Sequence, residues 1–459
     1  MKLNSRVIPF ALLLLPRTLA TLPLIYISPV ASLLILIRKG YRLSKQSLIL
    51  ILVFFLINAI VISLNQSHFK NFALAIASYG SIFLLAIAQR KTPSDKEASL
   101  WQNLIIFMAL FQGAIGVAQL FYNGFPLKLP YRDFSEDFFV GTLGTGGNRV
   151  VANMLAVAIV LCFFRHEIEK IKYNLAIMIF LSACLLMTSS NMSLITMAAA
   201  YGITCTKTVK KYFNIPALKL SKKPYRKTKM TFQKKHLLLG FVGFLLISGF
   251  VSSGGYKYFL DTYQKWVYQL EITDNARYMS IFNTFTKLPI EAPYQPFFGV
   301  GIGNYSSWAQ MTLSEDYIRV HIIGKHSDNQ ELIKHASQNP IAYDNVLKYL
   351  SEGLFRAETE SVINQPYFSW QSLYAETGII GLSIIFLLIL PKLRSIKLHP
   401  SDSAKNIIVK KTLIFYTVFL ALNGFIDNYF EYPWMTLPYF VGLLSISNQK
   451  RAPSLNQNF

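Results

Sequence analysis

One stretch limits this chain more than any other. Residues 47–64 read SLILILVFFLINAIVISL, an apolar run without a single charge. In water such a run has no polar face to offer the solvent. In a bilayer, about 20 such residues cross the hydrocarbon as one helix whose backbone groups bond to one another. The run is one of a series. Others lie near 18–37, 72–88, 103–122, 148–164, 175–187, 192–206, 236–252, 372–390, 412–424 and 432–446. With 46–64 they predict about 11 spans, or 12 if Pro16 and Arg17 split the first. The expected class is all-α, a polytopic transmembrane helix bundle. The apolar start, Val7 to Ile37, is too long for a signal-peptide core and shows no small-residue cleavage site, so it reads as an anchor.

Charge orients the bundle. Only 15% of residues are charged, yet the net charge is +22. In a soluble chain that excess suggests nucleic acid. Here the positive residues are sorted among the loops. If RKGYRLSK (38–45) is cytoplasmic, alternation puts loops 89–102, 165–174, 207–235, 391–411 and the tail 447–459 on the same side. These hold 29 Lys and Arg against 5 Asp and Glu, whereas the opposite loops hold more acids than bases. That is the positive-inside pattern. The stretch KLSKKPYRKTKMTFQKK (219–235) reads as a topology anchor near anionic lipid. It lacks the aromatic interleaving of a nucleic-acid surface, so no nucleic-acid partner is expected.

Three regions follow. An N-terminal transmembrane bundle covers 1–252, including the basic loop 207–235. A large outer loop covers 253–371. C-terminal spans and a cytoplasmic tail cover 372–459. The loop is expected to fold as a cap of short helices, with Tyr263, Trp266, Tyr278, Phe282, Trp308 and Tyr349 as aromatic anchors. The natural setting is a bacterial inner membrane with this loop in the periplasm. Cys162, Cys184 and Cys205 show no metal or pairing pattern and read as small hydrophobes. No metal or cofactor is expected.

Polar residues with chemical potential collect on the outer side. Arg149 opens a span in GTLGTGGNRVVANML, where helix N-terminal amides and an arginine suit an anion. Snorkelling to headgroups is the alternative. Arg277, in EITDNARYMSIFNTFTKLP, sits on a helix that Asp274 can cap. It can clamp a phosphate, or pair with Asp274 or Glu271. His321 and His326 flank IIGK, a spacing poor for zinc; either is a candidate general base or a plain surface histidine. Arg356, Glu358 and Glu360 read as a solvated face. Glu376, in WQSLYAETGIIGL, lies near the outer end of a span, where a carboxylate is costly. It is either a helix-start carboxylate or an active-site acid. Asp427 and Glu431 add acids to the same face.

The stretch PFFGVGIGNY (296–305) carries Gly299, Gly301 and Gly303. It lacks the Gly-Lys-Ser/Thr ending of a phosphate loop and the GxGxxG spacing of a dinucleotide fold. It reads as a structural hinge that packs close to the bundle and seats the arginine helix.

Taken in order, DNARYMSIFNTF, PFFGVGIGNY and YAETGIIGL, preceded by GTLGTGGNRVVANMLAVA, resemble the O-antigen ligase/polymerase family of bacterial membrane glycosyltransferases. The resemblance covers roughly residues 140–390. It implies an undecaprenyl-diphosphate-linked glycan donor, a saccharide acceptor, surrounding membrane lipids and a chain-length regulator as partners. It also implies metal-independent glycosyl transfer at the periplasmic face. Arg277 matches the family's loop arginine, and Arg149 is a second diphosphate-binding candidate by position. Where the family often has Ser-Arg-Gly, this chain has TSSNMSLITM, with Asn191 in the arginine's place. No histidine precedes the Glu-Thr-Gly segment in PYFSWQSLYAETG. These departures favour a polymerase over a ligase. Transfer also needs a base near the acceptor hydroxyl, and Glu376 and His321 are the two candidates. Asn191, Asn304 and Asp427 are supporting candidates. A flippase or transporter of the same lipids is the rival, but no half-to-half repeat is visible.

Overall fold

The computed structural model describes residues 13–122, 139–213, 276–313, 339–347 and 367–446, apart from a few residues among them. The expected span at 236–252, the basic stretch 219–235 and most of the loop 253–371 lie outside the described residues. Two small antiparallel pairs, β1 (Thr18–Leu19) with β2 (Leu22–Pro23) and β3 (Tyr41–Leu43) with β4 (Ala88–Arg90), accompany a helical chain. Its first helices are α1 (Ser28–Leu36), α2 (Lys45–Leu64), α3 (Phe69–Ile87) and α4 (Asp95–Tyr122). Next come α5 (Asn148–Glu169), α6 (Tyr173–Met187) and α7 (Asn191–Thr204). The outer loop contributes short pieces: α8 (Ala276–Phe285), α9 (Leu288–Glu291), α10 (Gln295–Phe298) and α11 (Trp308–Thr312). The chain closes with α12 (Ser369–Ser395), α13 (Ala404–Asn423) and α14 (Pro433–Ser445).

Six helices among the described residues, α2 to α5, α12 and α13, are long and apolar enough to cross a membrane. The chain is an all-α, multi-pass membrane protein. Four other expected spans are shorter. The first run, expected at 18–37, is a tight hairpin followed by a nine-residue helix. At about 1.5 Å per residue, that helix is too short to cross alone. Pro23 and Pro29 interrupt the run, since proline removes an amide and blocks the preceding turn. The other short helices are α6, α7 and α14.

Helix α5 is the inner post of the bundle and α2 an outer one: 72% of the spanning window of α5 is buried, against 28% for α2. Helix α5 packs on α4, α6 and α13. Its VVANMLAVAIV sequence is rich in small and β-branched side chains, which let neighbouring backbones approach. Helix α2 instead turns Ile49, Leu52, Leu56, Ile60 and Leu64 outward.

The ends of the bundle are sorted as charge alternation predicts. At one end strand β3, in the loop before α2, pairs with β4 after α3. Lys392 donates to the Ala88 carbonyl there. Asp95 accepts from Ser403 (2.7 Å) and Asn406 (3.1 Å), and Lys411 lies 3.7 Å from Glu167. Leu398 donates its amide to Phe213. All these loops belong to the group rich in lysine and arginine, so this is the basic end. At the other, acidic end, Asn65 bonds Val300 (3.1 Å), Asn148 bonds Thr188 (3.4 Å) and Trp308 bonds Glu431 (3.0 Å).

Candidate functional site

The acidic end is organised around a break. Helix α12 is interrupted at Gly378, whose backbone is left-handed in φ (60°) and extended in ψ (−173°). The break withdraws the carbonyls of Ala375 and Glu376 from the helical ladder. They accept instead from Val300 and Gly301, both at 2.9 Å. The glycine ribbon is thus threaded into the gap in α12. Gly299, Gly301 and Gly303 have φ of 77°, 100° and 86°. A methyl group at Gly299 would overlap the Glu376 carbonyl, and one at Gly378 the Phe297 carbonyl. Two glycines let two backbones touch.

Residues 299–307 are all buried, although the ribbon belongs to no helix or sheet. Its buried amides therefore need partners from elsewhere. The Glu376 side chain, 0% exposed, supplies three. Its Oε2 accepts from Gly303 (2.8 Å), and its Oε1 from Tyr305 and Ser307, both at 3.1 Å. Every second amide from 303 to 307 turns to the one carboxylate, along a segment of turns and bends in which the Asn304 amide closes back on the Gly301 carbonyl at 3.1 Å. The Ile302 amide goes to Asn58 at 2.8 Å. The Trp308 amide goes to Glu431, which also accepts from Ser78 at 3.0 Å. On the carbonyl side, Asn339 reaches Asn304 (2.9 Å) and Asn428 reaches Ser306 (2.7 Å). Glu431, in the turn before α14, is also fully buried. Burial pushes its carboxyl up to about 8, with the nearby charge of Glu376 adding to the rise.

Arg277 is 8% exposed at the start of α8. It donates to the carbonyls of Ile426 (2.6 Å), Phe425 (3.3 Å) and Tyr367 (3.4 Å), and lies over the Phe368 ring at 5.1 Å. Burial lowers it to about 10, while the Asp427 carboxylate works against that shift. The guanidinium therefore stays charged at neutral pH. Its anchor is the turn between α13 and α14; Asp274 and Glu271, the other partners considered, lie outside the described residues. Helix α8 is tied to the ribbon by a chain of hydroxyls. Gln371 on α12 donates to Ser280 (2.6 Å) and Thr284 (2.8 Å), and Thr284 meets the Tyr305 hydroxyl at 2.7 Å.

The other candidates distribute as follows. Asp427 is 7% exposed, and its Oδ1 caps the Asn428 amide at 2.6 Å. Asn304 is buried within the ribbon, where its side-chain amide donates to the Ile302 carbonyl at 3.3 Å. Arg149 occupies the first turn of α5, half-buried, and Asn191 begins α7. Both are at the acidic end, on the α5–α7 side. His321, His326, Arg356, Glu358 and Glu360 lie outside the described residues. Tyr278 and Phe282, expected as aromatic anchors of the cap, are exposed at 41% and 48%. The inner face of α8 is taken by Arg277, Ser280 and Thr284, so the aromatic side is left outside.

Sequence reasoning missed the asparagines that hold the ribbon, Asn58, Asn65, Asn339 and Asn428, and Gln371, which holds α8. Asn58 offered a signal, a lone amide in the middle of an apolar run. The others sit in segments polar enough to hide them. Among the described residues no group of His, Cys, Asp and Glu could hold a metal ion. No family model, no curated protein and no solved structure matches this chain.

Proposed function

We propose that the chain is a membrane glycosyltransferase that polymerises lipid-linked saccharide units at the acidic end of the bundle, with that end on the periplasmic face. The observation that carries this reading is Arg277: a guanidinium that keeps its charge while nearly buried, on a helix coupled to both glycine-marked segments. It already donates to the carbonyls of Tyr367, Phe425 and Ile426, so in this reading it acts on a departing lipid diphosphate through its charge in a water-poor place and not as a hydrogen-bond clamp. The donor is an undecaprenyl-diphosphate-linked glycan and the acceptor a sugar hydroxyl. Glu376 is spoken for by three amides, so in this reading it positions the ribbon and does not act as the base. That task passes to His321 or a neighbour.

One observation favours the transporter reading. A spanning helix broken near a carboxylate is a common form of transporter site. Against it, the gap at Gly378 is filled by the chain's own ribbon, backbone against backbone. Gene deletion followed by analysis of lipid-linked intermediates tests both. Accumulated single repeat units support a polymerase, long lipid-linked chains a ligase, and intermediates held on the cytoplasmic face a flippase. Arg277→Ala is expected to abolish long-chain glycan while the protein remains in the membrane; normal chain length would remove Arg277 from the mechanism.

A further inference from the structure

Helix α8 is amphipathic in the reverse sense for a water-washed cap. Its polar residues Arg277, Ser280, Asn283 and Thr284 are buried. Its outer face carries Tyr278, Phe282 and Phe285, exposed at 41%, 48% and 54% and spaced four and three residues apart. Such a face would be costly against water alone. It continues onto α10, where Phe297 and Phe298 are 58% and 39% exposed.

The position of this face matters as much as its composition. Phe297 and Phe298 meet α12 at Gly378. On the acidic side of that glycine the half-buried residues of α12 are Trp370 and Tyr374, and Phe285 of α8 stacks on Tyr374 with ring centroids 5.0 Å apart. On the other side α12 runs IIGLSIIFLLIL without a charge, and it shows Ile379, Phe386 and Leu387 outward. Beyond Gly378 the exterior of α12 is thus aliphatic and phenyl, whereas before it the outward residues are tryptophan and tyrosine. Helix α10 meets α12 at Gly378, α8 lies beside Gln371 and Tyr374 on the acidic side of it, and their outward rings adjoin the apolar exterior of α12. Tyrosine and phenylalanine at the end of a spanning surface are what a headgroup boundary selects.

We propose that α8 to α10 lie at the membrane–water boundary, with Tyr278, Phe282, Phe285, Phe297 and Phe298 in the lipid and the arginine face turned to the bundle. The partner is the bilayer itself. The proposal stands whether or not the chain transfers sugars.

The test uses the full chain carrying Cys205→Ser, in vesicles of phosphatidylethanolamine and phosphatidylglycerol. Nitroxide labels are placed singly at Phe282→Cys and Phe297→Cys. Lys287→Cys, in place of the lysine that pairs with Glu291 at 3.2 Å, is the aqueous reference. Collision with oxygen is expected to exceed collision with a water-soluble nickel complex at 282 and 297, and to fall below it at 287. Nickel collisions exceeding oxygen at both 282 and 297 would put the face in water and overturn the proposal. Protection from both reagents would mean that protein covers the face, and would overturn it equally.

Discussion

At the level of single residues, Glu376 and the glycines facing it form one device. A buried carboxylate normally demands a cation. Here three backbone amides replace the cation, from a ribbon in which Gly299, Gly301 and Gly303 all take positive φ. Gly299→Ala and Gly378→Ala should each cost about 1–3 kcal/mol for a backbone of positive φ and extended ψ that only glycine adopts readily, plus the overlap with the facing carbonyl. Their melting temperatures in detergent are expected to fall clearly below wild type. Gly202→Ala, with open space around it, is expected to match wild type or exceed it. Equal melting of all three would refute the close-approach explanation. Glu431 gives a pH signature. Its folded value lies above the ordinary 4.5, so its contribution to stability is complete below 4.5 and is lost as pH rises through about 8. Thermal stability of the wild type should therefore decline over that window, and Glu431→Gln, neutral throughout, should flatten the decline. An unchanged slope would show that Glu431 is ionised in the folded protein.

At the level of elements, α12 and α8 show how a break can be used. The sequence YAETGIIGL marks a special place, because a carboxylate and two glycines near the end of a span have few other uses. What fills the gap lies about 70 residues earlier in the chain, and no local pattern announces it. Gln371, on the same helix before Glu376, then passes the order of α12 to α8 through Ser280 and Thr284. Gln371→Leu removes the amide that donates to both hydroxyls, a loss of about 1–3 kcal/mol, while Thr284 keeps the Tyr305 hydroxyl and the Ser280 carbonyl. Hydrogen exchange over residues 276–285 is expected to quicken while exchange in α5 and α13 stays slow. Protection of α8 equal to wild type would mean that Arg277 and the Thr284–Tyr305 contact hold it without Gln371. The same scale explains why 18–37 is not one span. Hydropathy sees apolar length, but prolines at 23 and 29 decide whether that length can be one helix.

For the whole molecule, two ends of different charge define the architecture. Loops distant in sequence but alike in charge touch one another at the basic end, so the alternation read from lysines and arginines is also the spatial order. Exposed Cys205 follows α7 on that side. A membrane-impermeant maleimide should label Cys205 from the basic face only, and Lys287→Cys from the opposite face only. Labelling of both from one face would break the alternation. The sequence alone determined the all-α membrane class and the grouping of loops by end, because apolar length and loop charge are local sums that need no tertiary contact. It also flagged the helix bearing Arg277, the glycine ribbon and the Glu-Thr-Gly segment as a set. Tertiary structure alone decided what those pieces do to one another. It gave Glu376 to three amides, Arg277 to the carbonyls of a turn about 150 residues away, and the aromatic side of α8 to the exterior. The physical reason is that buried backbone groups must find partners wherever the chain brings them, and that pairing is non-local. A sequence shows which residues can bond; only the fold shows which are close enough to do so.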